Sequence, residues 1–341
     1  MGILDVLVLP ASAWLLTYLV HSTVLLGAAW LLTRRLTRSE ALKETLWKTA
    51  LVGAIGTATL QGVLGWAPLT GGLELASTAV GSVNSANASA ARQPESRRVG
   101  LDEAAPAGAS AEVTEPTGDV ATRTSSPLPT VRDRLVPGPG VLLASWLVVA
   151  LALLLRLGLR HVRLQRLLCD RRQLDEGGLA AALAELRRNA GLWRPVWLSA
   201  SPRCPSPLAL GTREICVPER FVSELEPEEQ RAGLAHELAH LARRDPLWHV
   251  LAGVIESVFF FQPLNRVARL RLRESAEYLC DDWAVRQTGS QLGLARCLAQ
   301  VASWVGPVRE PVPSGTMAMA EGGSPLLLRV QRLLDGRTGE A

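Results

Sequence analysis

The stretch from Ala11 to Leu32 contains no Asp, Glu, Lys or Arg, and Arg34, Arg35 and Arg38 follow it at once. A helix needs about 20 apolar residues to cross a bilayer core about 30 Å thick. Backbone groups in lipid must find partners within their own segment, so such a run is a helix or nothing. This constrains the fold more than any other feature of the chain. A cleaved signal would carry its positive charge before the run. Here Asp5 is the only charge before it, which predicts a retained anchor with its N-terminus outside the cell. His21, inside the run, is expected to serve helix packing.

Two further runs repeat the pattern. Residues 46–64 follow a short basic stretch with Lys43 and Lys48, and hold Gly53, Gly56 and Gly62. Small residues in a span permit close helix packing. Trp66 stands at its end, where an interfacial aromatic belongs. Val141 to Leu155 forms the third run, and Arg156, Arg160, Arg163, Arg166, Arg171 and Arg172 follow it. Both basic regions place the same side in the cytoplasm. The expected organisation is two membrane helices within 1–69, an outer loop over 70–140 and a third membrane helix over 141–158. The loop is rich in Ala, Ser, Thr, Pro and Gly, and too poor in large apolar residues to offset the entropy of ordering. It is expected to be disordered.

Composition agrees. Apolar residues make up 48% of the 341 positions and are clustered rather than spread. The mean hydropathy is positive, at +0.17. The net charge of +4 comes mostly from arginines that flank apolar runs. No direct nucleic-acid binding is expected, since that needs a basic patch with groove-entering or stacking elements. The five cysteines form no Cys-x-x-Cys pair, and none lies in the outer loop, which suits a reducing compartment for the second half.

That second half carries the chemistry. His236 and His240 bracket the pentapeptide HELAH, within a proline-free run of strong helix formers. Residues four apart on a helix share a face, with Cβ atoms about 5–6 Å apart. Two imidazoles so placed can bind one zinc ion, with Glu237 beside them as general base for an attacking water. The competing reading of the pentapeptide alone is a solvated polar face. Pro227, Glu228 and Glu229 mark the helix start and Arg244 its end; Asp245-Pro246 then begins another helix.

Upstream, residues 174–189 read as an amphipathic helix with Leu179, Leu183 and Leu186 inward. Pro207 to Leu210 and Ile215 to Val217, parted by Gly211, read as a small hairpin or sheet. An edge strand there could pair with a substrate backbone, or the hairpin could be purely structural. Downstream, residues 247–264 read as either a fourth span or a helix at the membrane surface. Glu256 within it is expected to make a polar contact in the bundle.

A catalytic zinc site needs a third protein ligand and an open position. Residues 271–289 read as a charged helix that can supply it. Glu277 could bind the metal while Asp281, four residues on, holds a ligating histidine from behind; Glu274 is the alternative ligand. For the oxyanion, His249, Tyr278 and nearby arginines are candidates. The tail, 307–341, holds a short amphipathic stretch with Leu326, Val330 and Leu333, able to pack on the domain or cover its cleft.

The succession SPLALG…VPERF, LEPEEQRAGLAHELAHLARRDP, FFFQPL and EYLCDDWAV, behind membrane runs and an outer loop, resembles the BlaR/MecR-type membrane metallopeptidases. These are the protease part of bacterial antibiotic-sensing signal transducers. The resemblance implies His236, His240 and Glu277 as metal ligands, Glu237 as catalytic glutamate, and one catalytic Zn2+. It also implies a gluzincin-like fold, cleavage in the cytoplasm, and a transcriptional repressor as candidate substrate. Those transducers carry a penicillin-binding domain after the protease. None follows here, and no Ser-x-x-Lys motif occurs, so direct β-lactam sensing is not expected.

The resulting expectation is a mainly α protein of the bacterial inner membrane. It has three to four transmembrane helices and a cytoplasmic α+β zinc peptidase domain over 159–306. Its partners are a protein substrate and the lipid bilayer. Two other functions remain open: a membrane-protein quality-control protease, and a non-catalytic signalling scaffold with a structural zinc site. Substrate breadth separates the first from signalling; Glu237 argues against the second.

Overall fold

The computed structural model describes residues 3–35, 39–64, 139–305 and 325–336. The expected outer loop, Trp66 and the residues between 305 and 325 lie outside these. Helix α1 (Ile3–Arg35) and helix α2 (Glu40–Leu64) lie side by side. The His21 Nδ1 to Thr57 Oγ1 contact of 3.0 Å is one of their cross-links, so His21 serves packing. Helix α3 (Pro139–Leu167) runs past the expected end at Leu155 and takes in Arg156 to Arg166. Arginine is a good helix former, and nothing in that stretch stops the helix. Two of the described helices, Pro10–Arg35 and Gly140–Leu167, are long and apolar enough to cross a membrane. Helix α2 keeps Glu40, Lys43, Glu44 and Lys48 in its first turns and is not one of them.

A four-stranded sheet follows. Strands β1 (Arg172–Gln173), β2 (Trp197–Ser201), β3 (Leu208–Leu210) and β4 (Glu214–Pro218) lie in the order β1-β2-β4-β3. β3 and β4 form the expected antiparallel hairpin, turning at Gly211 with φ 57°. β2 pairs parallel with β4, a pairing the sequence had not announced. Helix α4 (Gly178–Asn189) starts four residues later than expected. Gly177, at φ 102°, breaks the chain there, and Leu174 instead donates its N–H to the Leu198 carbonyl beside the sheet. Leu179, Leu183 and Leu186 do face inward.

The short helix α5 (Glu219–Ser223) leads to α6 (Pro227–Arg243), α7 (Asp245–Val258), α8 (Pro263–Thr288) and α9 (Gln291–Val305); α10 (Pro325–Leu334) completes the described chain. The run 247–264 does not form one helix. It breaks at Phe259–Gln262, where Pro263 opens α8. At 1.5 Å per residue, the 14 residues of α7 reach only about 21 Å. Glu256 contacts Arg269 across the corner between α7 and α8.

Among the described residues two large apolar cores result, beside a small cluster of Leu168, Cys204, Leu210 and Cys216. One joins α1, α2, α7 and the first half of α8 through Tyr18, Trp47, Leu51, Ile255 and Leu272. The other joins α4, the sheet, α6, α9 and α10 through Leu186, Ile215, Leu238, Leu294 and Leu333. Helix α8 belongs to both, with Leu272 in the first and Ala284 in the second. The residues between them carry the second half of the candidate site.

Candidate metal centre

Helix α6 is locally well specified. Glu229 accepts a hydrogen bond from the Glu226 backbone N–H, and Pro227 occupies the first turn, where its missing N–H costs nothing. Residues 232–239 are all buried. Gly233 permits this depth: a Cβ there would lie 2.8 Å from Cys297 Sγ and 2.9 Å from Phe221 Cε2. HELAH therefore sits on a core helix, not on the solvated face that was the competing reading.

The two imidazoles converge. His236 Nε2 and His240 Nε2 are 3.2 Å apart, and Glu277 Oε2 is 3.7 Å from His236 Nε2. One ligand atom from each of His236, His240 and Glu277 lies within 4.8 Å of the others. Glu274 is not in this group; it is exposed and pairs with Arg271 at 2.7 Å. Nitrogens at 3.2 Å can share a proton or a metal. Zinc with bonds of about 2.0–2.1 Å in a tetrahedron has ligand atoms about 3.3 Å apart, so the donor set fits that ion.

The outer nitrogens also behave as metal-binding histidines require. His240 Nδ1 lies 2.9 Å from Asp245 Oδ2. His236 Nδ1 lies 3.0 Å from Asp281 Oδ1, an ion-pair distance without hydrogen-bond alignment. Carboxylates behind ligating histidines hold the ring and direct the other nitrogen to the metal. Burial opposes charge on His236, but Asp281 and Glu277 outweigh it and lift its pKa to about 10. Burial likewise opposes charge on Glu277, yet His236 and Arg329 hold its carboxyl far below the usual range. A metal at these atoms would displace the His236 proton and take over the role of neutralising Glu277.

Several members were not singled out from the sequence. Arg329, on α10, lies 2.7 Å from Glu277 Oε2 and grips Asp281 through Nε and Nη2 at 2.8 and 2.7 Å. Beside it, Arg332 reaches Asp282 at 2.8 Å and stacks over Tyr278. The tail helix thus packs on the domain, as its apolar face suggested, and also reaches into the site. Its arginines, three apart on the face flanking Leu333, were the available signal. Asp245 is the first residue of α7, and Arg244 at φ 60° turns the chain so that it folds back under His240. Cys280 Sγ lies 3.3 Å from His240 Nδ1 and 3.5 Å from Asp245 Oδ2, so His240, Asp245 and Cys280 form a second close group sharing one histidine. Glu237 lies next to His236 on α6 and is 9% exposed. Tyr278 is engaged by Arg332 and His249 is half-buried on α7.

Comparison with known proteins places the chain among membrane peptidases. A protein from Persephonella marina named "Protease HtpX homolog" is 38% identical over 77 residues, 21% of this chain and 27% of the relative. The match therefore spans about a quarter of that relative's length. The pattern of the family described as BlaR1 peptidase M56 matches residues 101–331, more than half of the chain, including His236, Glu237, His240, Glu277 and Asp281. The chain belongs to the BlaR1 peptidase M56 family.

Proposed function

We propose that the chain is a membrane-embedded, zinc-dependent endopeptidase that cleaves a cytoplasmic or membrane-proximal protein. The observation that carries this is the convergence of His236 Nε2, His240 Nε2 and Glu277 Oε2, with Asp281 and Asp245 behind the two rings. A structural zinc site closes all four positions with protein ligands, whereas this set offers three. Zinc supplies Lewis acidity, which makes water a usable nucleophile near neutral pH and polarises a peptide carbonyl. Glu237 takes the proton from the attacking water as its oxygen bonds to the carbonyl carbon. The same carboxyl returns the proton to the amine nitrogen as the C–N bond breaks. His236 and His240 keep their Nε2 atoms aimed inward because Asp281 and Asp245 occupy the outer ones. Strand β3 is an edge of the sheet and packs against α6, which supports its use as the strand that pairs with an extended substrate.

The apolar helices with arginines at their ends support a multi-pass protein of the bacterial inner membrane with the peptidase on the cytoplasmic side. Family membership supports a regulated signalling role, with a transcriptional repressor as candidate substrate. The HtpX-homologue likeness favours a second reading, broad cleavage of membrane proteins, since that relative is named a protease and not a signal transducer. The test compares protein N-termini in cells making the wild type or Glu237→Ala. New cytoplasmic N-termini confined to the wild type support the peptidase; one regulator among them selects signalling, and many membrane proteins select the second reading. A wild type that binds zinc yet yields no N-terminus under any condition would leave the scaffold.

A further inference from the structure

The first turns of α2 hold both helices that carry the metal ligands. Glu44 Oε2 lies 2.7 Å from Arg243 Nη2, an ion pair rather than an aligned hydrogen bond, at the end of α6. Arg243 Nε lies 3.2 Å from Asp245 Oδ2, and that same oxygen lies 2.9 Å from His240 Nδ1. One helical turn earlier, Glu40 Oε2 accepts from Ser275 Oγ at 3.2 Å, on α8 and two residues before Glu277. Glu44 is 7% exposed and Asp245 2%, with the Arg243 side chain between them at 23%, so both carboxylates are shielded from water, where charge pairs are stronger and their loss more costly.

Below these carboxylates, α2 is fixed in the membrane-side core. Trp47, Leu51 and Ala54 pack there with Ala268 and Leu272 of α8. Glu44 and Leu51 lie on one face of one continuous helix, so α2 cannot turn or slide without carrying Glu44 with it.

The geometry points to Glu44 as a positioning residue for His240, acting through Arg243 and Asp245. The α2 helix is then the element through which the membrane bundle sets the grip on the metal. This inference rests on the zinc reading of the site. Arg243 stands between two carboxylates. With Glu44 in place, its guanidinium is held so that Nε meets Asp245. Without that partner it is free to swing towards solvent, and Asp245 loses the cation that keeps its Oδ2 against His240 Nδ1. His240 then no longer presents Nε2 in one direction. Lys48 is the internal control. Its Nζ lies 2.6 Å from the other oxygen of Glu44, but it stacks over Trp248 and lies off the path to His240.

The experiment uses full-length protein in detergent. Zinc affinity is measured by competition with a chelator, and the coordination geometry from the visible absorption of the cobalt-loaded form. Glu44→Gln is expected to weaken zinc about 10-fold or more, the range found when partners behind a metal ligand are lost. It should also change the cobalt spectrum, and Glu44→Asp should recover part of the affinity. Lys48→Gln should stay near wild type. If Glu44→Gln fails to fold, Arg243→Lys takes its place, because one ammonium cannot reproduce the fork that meets both carboxylates. The inference is overturned if the wild type binds zinc while Glu44→Gln matches it within two-fold with an unchanged cobalt spectrum. It is equally overturned if Lys48→Gln loosens zinc as much, which would mark general loosening of α2. A wild type that binds neither metal sinks the zinc reading itself, a result distinct from both.

Discussion

The two histidines of the candidate centre are braced alike but by helices from near opposite ends of the described chain. Behind His236 stand Asp281 and then Arg329, from the last described helix. Behind His240 stand Asp245, Arg243 and then Glu44, from the second. Each brace is an imidazole, a carboxylate and an arginine in series. They differ in termination. Arg329 ends on the two carboxylates of α8, Asp281 and Glu277, and closes a loop within the site. Arg243 passes on to Glu44 and out of the site. The same chemistry therefore makes a closed clamp on one side and an open link to the bundle on the other. Arg329, at 12% side-chain exposure beside Asp281 at 1%, is also a buried pair. Removing one partner of such a pair typically costs about 3–5 kcal/mol.

The largest expected effect leaves both braces untouched. Glu237→Gln should lower cleavage by about 10²–10⁴-fold, the usual worth of a positioned general base, with zinc content unchanged by elemental analysis. Full cleavage in that variant would remove Glu237 from the mechanism; loss of zinc would show that it belongs to the braces after all.

Next come the two carboxylates behind the rings. Asp281→Asn and Asp245→Asn should each weaken zinc by about 10–100-fold. Only the first should also strand a buried arginine and lower the melting temperature strongly. Proton counting separates them further. His236 has its pKa lifted to about 10 by Asp281 and Glu277, so without metal it contributes stability in full below its unfolded value of about 6.5. That contribution is lost as pH rises through about 10. Zinc binding at pH 7.5 should therefore release about one proton from His236, read by calorimetry in buffers of different ionisation enthalpy. Asp281→Asn should reduce that release and Asp245→Asn should not. Equal behaviour of the two variants would erase the distinction between the braces.

Smaller effects probe how each brace is mounted. Gly233→Ala would press on Cys297 and Phe221, displacing α9 and with it α10, at a cost of about 1–3 kcal/mol in thermal unfolding. An unchanged melting temperature would mean that α6 and α9 are not in close contact. Arg244→Gly relaxes the left-handed corner that sets Asp245. A non-glycine residue there costs about 1–2 kcal/mol, partly offset by the freedom glycine adds to the unfolded chain. The net change should stay within about 1 kcal/mol, with zinc affinity preserved. A large loss of affinity would show that the arginine side chain, not the corner, holds Asp245.

Much of this molecule follows from local rules. The apolar length of residues 11–32, the alternation of HELAH with apolar neighbours and the stop at Asp245-Pro246 are each written within a few turns of chain. The α7–α8 break was harder to see, because Phe259, Phe260 and Phe261 are as apolar as the helix they end. That α3 continues through the twelve residues after Leu155 was hidden by its arginines, which read as a membrane edge without marking a helix end.

By itself the sequence determined that His236 and His240 share a face, because 3.6 residues per turn brings positions four apart together whatever surrounds them. It likewise put Glu277 and Asp281 on one face of a second helix. Only the tertiary structure decided that Glu277 and not Glu274 meets the histidines, since that depends on how α8 is rotated between the two cores. It alone brought Glu44 and Arg329 to the same centre from positions 285 residues apart. No periodicity links such residues. They meet because burying the apolar faces of α2 and α10 leaves their charged groups nowhere to go but towards the buried carboxylates and arginines of α6 and α8.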